Sequence, residues 1–295
     1  MQHWFLFSVL AALVWAIVNI TDKFILSKWV KNPFVPIMIL SIVGLLSSLF
    51  IYLFKGFSTL SYSNIILAFI AGIFYIFAIL FYFKAVKIEE ISRVVPLFYL
   101  TPLFVLILAT IFIGEIFPIS KYLGIFLLII GAVSISSRSF TKFKLGKGFW
   151  LMFLASFALS INAVITKYLL EFADFWTVFS YVRIGTIFAL GPIVYFNYKE
   201  LIVTVKENGN KVIGIISLNE LLNLIGILLI TIAMSIGYVT LVSATSAIQP
   251  LFVFLFAIIF SSFFPKILKE ELKGSIIIIK VIAIILIIVG TILVT

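Results

Sequence analysis

The 295-residue sequence contains no cysteine and a single histidine, His3. The first absence removes disulfides, thiolate nucleophiles and Cys-ligated metals together. The second takes the commonest acid–base and metal-binding side chain out of the interior. Charge is scarce too: Asp, Glu, Lys and Arg make up 11% of the chain, and only 11 residues are acidic. Apolar residues fill the space, at 64% of the chain and a mean hydropathy of +1.34. No water-soluble domain can bury that much apolar surface, so the expected solvent is lipid. A net charge of +10 would suggest nucleic acid in a soluble protein. Here the basic residues flank apolar runs, which reads as membrane topology and excludes that partner. The opening MQHWFLF has neither a basic leader nor a small-residue cleavage site, and is read as the start of a retained span.

A bilayer-crossing helix takes about 20 apolar residues, and ten stretches qualify. They are Trp4–Thr21, Pro36–Phe54, Ile65–Val86, Val94–Ile113 and Lys121–Ser136, then Gly148–Lys167, Trp176–Tyr195, Val212–Gly237, Val242–Phe263 and Ser275–Thr295. The longest expected connections are Tyr198–Lys211 and Ser137–Lys147, so no segment is left for a soluble domain.

The chain also repeats itself. Thr101–Phe112 (TPLFVLILATIF) is echoed by Gln249–Phe260 (QPLFVFLFAIIF), 148 positions later. The same displacement sets Ala85 on Ala233 and Val94 on Val242. A second echo joins Phe5–Ala12 to Phe149–Ser156. Two homologous halves are expected, residues 1–140 and 141–295, each with five spans. An odd number per half inverts the second relative to the first. The expected fold is therefore an all-α integral membrane protein of ten transmembrane helices in two inverted five-helix repeats, a plan that recurs in secondary transporters. Sixteen of the 21 Lys and Arg fall in the odd-numbered connections. That places those connections in the cytoplasm and both termini outside.

Ionisable groups at bilayer depth cost about 2.5–3.5 kcal/mol each on insertion scales, so each needs a reason. Glu220 lies a third of the way along the eighth span, between Asn219 and Asn223. It reads as a substrate or proton site, or as a carboxylate hydrogen-bonded to a neighbouring helix. Its counterpart in the first half is Gly72, so the feature is not duplicated. Arg183, in the seventh span, suits an anionic group or serves as the counter-charge of Glu220. Lys280 is expected to snorkel. Trp15, Asn19 and Asp22 form one polar–aromatic stripe on the first span, and Asn162 and Thr166 one on the sixth; asparagines in lipid also glue helices. Tyr75 and Tyr82 share a face of the third span, and Tyr99 stands on the fourth. Such aromatic stripes read as packing or as cavity wall. Pro102 and Pro250 lie inside spans at matching places and are candidate hinges. Gly124 and Gly131, with Ala283 and Gly290 in the tenth span, form small-residue faces for close packing.

Chemistry motifs are lacking. An intramembrane aspartyl protease needs two Asp within spans, whereas Asp22 and Asp174 are read at helix ends. Serine or zinc chemistry needs His partners. The acidic pairs Glu89–Glu90 and Glu270–Glu271 sit in basic turns, and no GxxxxGK[ST] loop binds nucleotide. The chain is read as no enzyme, with no cofactor and no metal.

At Ala85–Ser92, Pro102–Val105, Gly114–Glu115 and Gly124…Gly131, and again from Ala233 to Pro250 and at Gly290, the chain resembles the drug/metabolite transporter superfamily, in its EamA-type ten-helix members. It departs from the pattern after Phe260, where an acidic pair follows only after SSFFPKILKEE. The resemblance implies a basket of helices around a central cavity, with the fifth and tenth spans peripheral. It also implies movement of a small metabolite, often an amino acid outward. Together these readings give a secondary transporter, an exporter of an amino-acid-like solute from a prokaryotic cell, working by alternating access in the plasma membrane. The cavity is expected between spans 1, 3, 4, 6, 8 and 9, with 7. Coupling to protons or a counter-solute and a monomer or homodimer complete the expectation. The alternative is a channel, or a transporter of lipid or lipophilic compounds, on the same fold.

Overall fold

The computed structural model describes residues 3–30, 32, 34–88, 95–136, 146–261 and 274–295. Its described residues form eleven α-helices and two 3-10 segments. This is the expected outcome in lipid, where every backbone N–H and C=O must be satisfied within the segment. The helices are α1 (His3–Lys28), α2 (Phe34–Lys55), α3 (Tyr62–Ile88), α4 (Thr101–Ile113), α5 (Ile119–Ser136), α6 (Lys147–Leu169), α7 (Phe175–Asn208), α8 (Asn210–Ile236), α9 (Val239–Thr245), α10 (Gln249–Ser261) and α11 (Gly274–Val294). Among the described residues, seven segments are long and apolar enough to cross a membrane by themselves, six of these helices and the run Val239–Phe256. Several hydroxyls inside the helices spend their donors on their own backbone, as Ser48 does on the Gly44 carbonyl and Thr231 on that of Ile227.

The fourth and ninth apolar stretches are broken. Val95–Leu100 is a 3-10 segment that runs into α4, and Ser246–Ile248 is another between α9 and α10. Pro102 and Pro250 each occupy the second position of the helix that follows. A proline there removes no intrahelical bond, because the first four N–H groups of a helix have no partner. The two prolines therefore begin helices and do not kink continuous ones.

Two further expectations are corrected. Tyr198–Lys211 is not a loop: α7 runs to Asn208, α8 starts at Asn210, and Gly209 (φ +75°) alone turns the chain. The polar residues there support the helix, with Thr204 and Asn208 donating to the Glu200 and Thr204 carbonyls. At 1.5 Å per residue α7 is about 50 Å long, well beyond the hydrocarbon core. Asp22 is not at a helix end either, since α1 continues for six more residues. Its apolar run stops at Thr21, but a helix facing a polar interior need not stay apolar.

Packing follows the small residues. On α5 a Cβ at Gly124 would stand 2.9 Å from the Gly290 carbonyl oxygen, and one at Gly131 2.9 Å from that of Ala283. The small-residue faces read from the sequence thus meet as α5 against α11. Gly72 and Gly185 do the same for α3 and α7: a Cβ at either would strike the other helix's backbone. α1 packs on α8, α3 on α6, and α2 on α7. One apolar core lies among α1, α4, α5 and α8–α11, and another among α2, α3, α7 and α8; Trp15 packs against both. The outer faces carry exposed Phe54, Phe196 and Ile292, as a lipid-facing surface requires.

The junction between α8 and α9 is pinned from two sides. Gly114 (φ +70°) closes α4 in the left-handed conformation that favours glycine. This delivers the buried Glu115 carboxylate to the start of α9, where it accepts the backbone N–H groups of Val239 (2.8 Å) and Thr240 (3.0 Å). Lys167, at the end of α6, donates to the last α8 carbonyls, those of Met234 (2.9 Å) and Gly237 (2.8 Å). At the start of α7, Asp174 accepts from the N–H groups of Trp176 and Thr177 and from the Ser58 and Thr177 hydroxyls. Partial burial alone would raise its pKa, but these hydrogen bonds and the Lys55 charge outweigh that and bring it down to about 2. The expected boundary at 140/141 and the pairs Glu89–Glu90 and Glu270–Glu271 lie outside the described residues.

Candidate functional site

A cavity of about 270 Å³ opens between the two cores. α1 contributes Trp15, Asn19 and Asp22, and α3 contributes Tyr75 and Tyr82. Asn162 comes from α6, Arg183 from α7, and Glu220 and Asn223 from α8. The broken segments supply Tyr99, Thr101 and Pro102 on one side and Ser243, Ser246 and Gln249 on the other. Thr101 and Gln249 are the paired positions of the internal echo, so the two repeats of the motif meet the same space. Among the described residues, none that line the cavity come from α5 or α11. α2 adds Pro36, Ile37 and Leu40, a wall that sequence reading missed because all three are apolar.

Glu220 is 5% exposed, with Asn223 one helical turn away donating from Nδ2 to its Oε2 at 3.1 Å. The Trp15 indole N–H donates in turn to Asn223 Oδ1 at 3.1 Å. Gly226 makes room for that indole, since a Cβ there would collide with the ring. Asn219 does not line the cavity; it is buried and donates to Asp22 Oδ1 at 2.6 Å. α1 and α8 are therefore joined by two parallel links, Trp15–Asn223–Glu220 and Asp22–Asn219. Asp22 was visible in the stripe with Trp15 and Asn19, but a helix drawn to stop at Thr21 hid its place in the wall.

Arg183 stands apart from the carboxylates, with no ion pair to either among the described residues. It is 3% exposed, and its guanidinium carbon lies 4.2 Å from the centre of the Tyr75 ring and 6.0 Å from that of Phe179. Its Nε has no hydrogen-bond partner. The side chain packs along Gly44 of α2, whose lack of a Cβ leaves it space. The alternative of Arg183 as a direct counter-charge to Glu220 is not what the geometry holds.

The remaining expected residues divide. Asn162 lines the cavity but donates to the Ala71 carbonyl at 2.9 Å, tying α6 to α3. Tyr82 stacks on Phe98 (4.7 Å between ring centres), while Asn19 and Tyr99 face the same space. Pro102 touches the cavity; Pro250 stands one residue behind Gln249. Lys280 is buried on α11 with its ammonium 4.1 Å from the Phe254 ring centre, and it is not among the residues that line this cavity. Among the described residues no group of three His, Cys, Asp or Glu side chains could hold a metal.

Residues 2–137 match the EamA-like transporter family. The resemblance to the drug/metabolite transporter superfamily holds over that segment, which spans α1 to α5. The EamA-like family is one of membrane transporters, and the apolar helices are those of a multi-pass membrane protein. A solved crystal structure superposes with a TM-score of 0.73 at 18% identity, covering 99% of this chain and 95% of its own. At that identity it shows a shared fold alone. No curated protein matches the chain in sequence.

Proposed function

We propose that the chain is a secondary transporter of a small polar metabolite, an amino acid or a close relative, moved outward by alternating access. The observation that carries this reading is a single cavity with carboxylates on one wall, a guanidinium on another, and helix beginnings at Thr101 and Gln249 beside it. Broken helices at a polar midplane site are the arrangement used by transporters built from inverted repeats. Glu220 binds the amino group of the solute or the coupling proton, and Arg183 its carboxylate. Asn19, Asn162, Asn223 and the tyrosines supply neutral contacts. Pro102 and Pro250 mark the hinges.

Ten spans in two inverted halves, 1–140 and 141–295, belong to the same reading. The helix contacts support it, because exchanging the halves maps them onto themselves. α3 on α6 becomes α8 on α1, and α4 on α6 becomes α10 on α1, while α2 on α7 and α5 on α11 are unchanged. Both termini lie outside the plasma membrane of a prokaryotic cell in this reading, and each copy has its own cavity. A second reading, a lipophilic solute, is favoured by one observation: an apolar groove of about 720 Å³ between α2, α7 and α8.

The test is exchange in liposomes loaded with labelled amino acids, challenged with a panel of unlabelled metabolites, beside Glu220→Gln. Competition by polar amino acids, lost or made pH-independent in the variant, supports the proposal. Competition confined to lipophilic compounds moves the assignment to the second reading.

A further inference from the structure

Two carboxyl groups and one guanidinium face the cavity: those of Asp22, Glu220 and Arg183. Asp22 and Glu220 stand close together, because Asp22 is hydrogen-bonded to Asn219, the residue before Glu220. Each is held by a neutral amide, and neither has a basic group within ion-pair distance among the described residues. Arg183 is held by aromatic faces and keeps an unpartnered Nε, although 97% of the residue is buried. Asn219 Oδ1, also buried, is a further acceptor without a partner beside the carboxylates. The protein thus presents two carboxyl groups and one guanidinium, and pairs none of them with another among the described residues. Acceptors gather at the α1–α8 wall, with the indole of Trp15 next to them; aromatic faces of this kind favour cations.

We infer that the cavity is built for a solute of net charge +1, a diamino monocarboxylic acid with two ammonium groups and one carboxylate. This rests on the transporter reading above and goes beyond it, because an ordinary zwitterion offers one ammonium group to two carboxyl groups. A second ammonium group lets both carboxyl groups ionise in a buried, low-dielectric site, where unpaired charge is tolerated least. The solute carboxylate meets Arg183, and its two ammonium groups meet Asp22 and Glu220, so the loaded cavity is neutral. Asp22 then sets specificity for charge.

The experiment has two readouts on the full-length protein. One is thermal stabilisation in detergent by lysine, ornithine, leucine and serine; the other is liposome exchange of the same four solutes. The expected result is stabilisation and exchange by lysine and ornithine, favoured over the neutral pair by about tenfold or more, a step of 1.4 kcal/mol. In Asp22→Asn that preference collapses toward unity. Exchange of leucine and serine as strong as that of lysine in the unaltered protein overturns the inference and leaves the transporter reading standing. So does a preference unchanged in Asp22→Asn. Stabilisation by the diamino acids without exchange of any solute supports the charge assignment and contradicts transport. The unaltered protein decides the matter even where Asp22→Asn fails to fold.

Discussion

Replacing Glu115 tests how the broken ninth segment is held. Both N–H groups that its carboxylate accepts, those of Val239 and Thr240, belong to residues with no exposed surface. In Glu115→Ala they lose their acceptor, and a buried unsatisfied donor costs about 1–3 kcal/mol. Removing the carboxylate also relieves the cost of burying its charge, which offsets part of the loss. The expected net destabilisation is about 2–4 kcal/mol. Glu115→Gln keeps one acceptor oxygen and turns an amide NH2 toward the second N–H, so about half of that loss is expected. The assay is unfolding in mixed micelles of graded SDS content, followed by far-UV circular dichroism. A Glu115→Ala protein within about 0.5 kcal/mol of the original refutes the reasoning, because a surface substitution does as little.

Three further outcomes are expected. Gly72→Leu forces α3 away from α7 and lowers stability by about 1–3 kcal/mol or more, measured in the same micelle titration, whereas a leucine at Gly214, where a Cβ meets nothing within 4 Å, costs little. Asp174→Ala removes a helix cap and costs about 1 kcal/mol. Because the Asp174 pKa is depressed to about 2, its contribution is complete above the unfolded value near 3.8 and is lost as pH falls through 2. The difference between Asp174→Ala and the original protein should therefore shrink in acid and stay flat above pH 5, read from unfolding at several pH values. The chain has no cysteine of its own, so Asn19→Cys gives a single reporter in the cavity. Its labelling by a small water-soluble thiol reagent should slow when solute is present, and equal rates would place Asn19 outside the path.

Much of this was legible before any coordinates, for physical reasons that differ by residue. The helices follow from apolar length, and the small-residue faces of α5 and α11 from small residues spaced seven apart, although that the two faces meet each other is shown only by the fold. Glu220, Arg183 and Asn162 stand out because polarity in lipid is rare. The echo at Thr101–Pro102 and Gln249–Pro250 pointed at the two broken segments, although not at the 3-10 turns, which leave no periodic signature. Asp22 and the Tyr198–Lys211 region were misjudged for one reason: a drop in hydropathy ends a span, and it does not end a helix. The role of Glu115 depends on N–H groups 124 and 125 positions away, a pairing that only the fold creates.

The central claim is that a solute site in this cavity faces the two sides of the membrane in turn. Counterflow measures it directly: vesicles loaded with unlabelled amino acid are diluted into a trace of labelled amino acid. A single alternating site predicts transient accumulation of label above its equilibrium level, saturable and abolished or strongly weakened in Glu220→Gln. Label that only equilibrates, at a rate linear in concentration and indifferent to the internal pool, would contradict the account and indicate a channel.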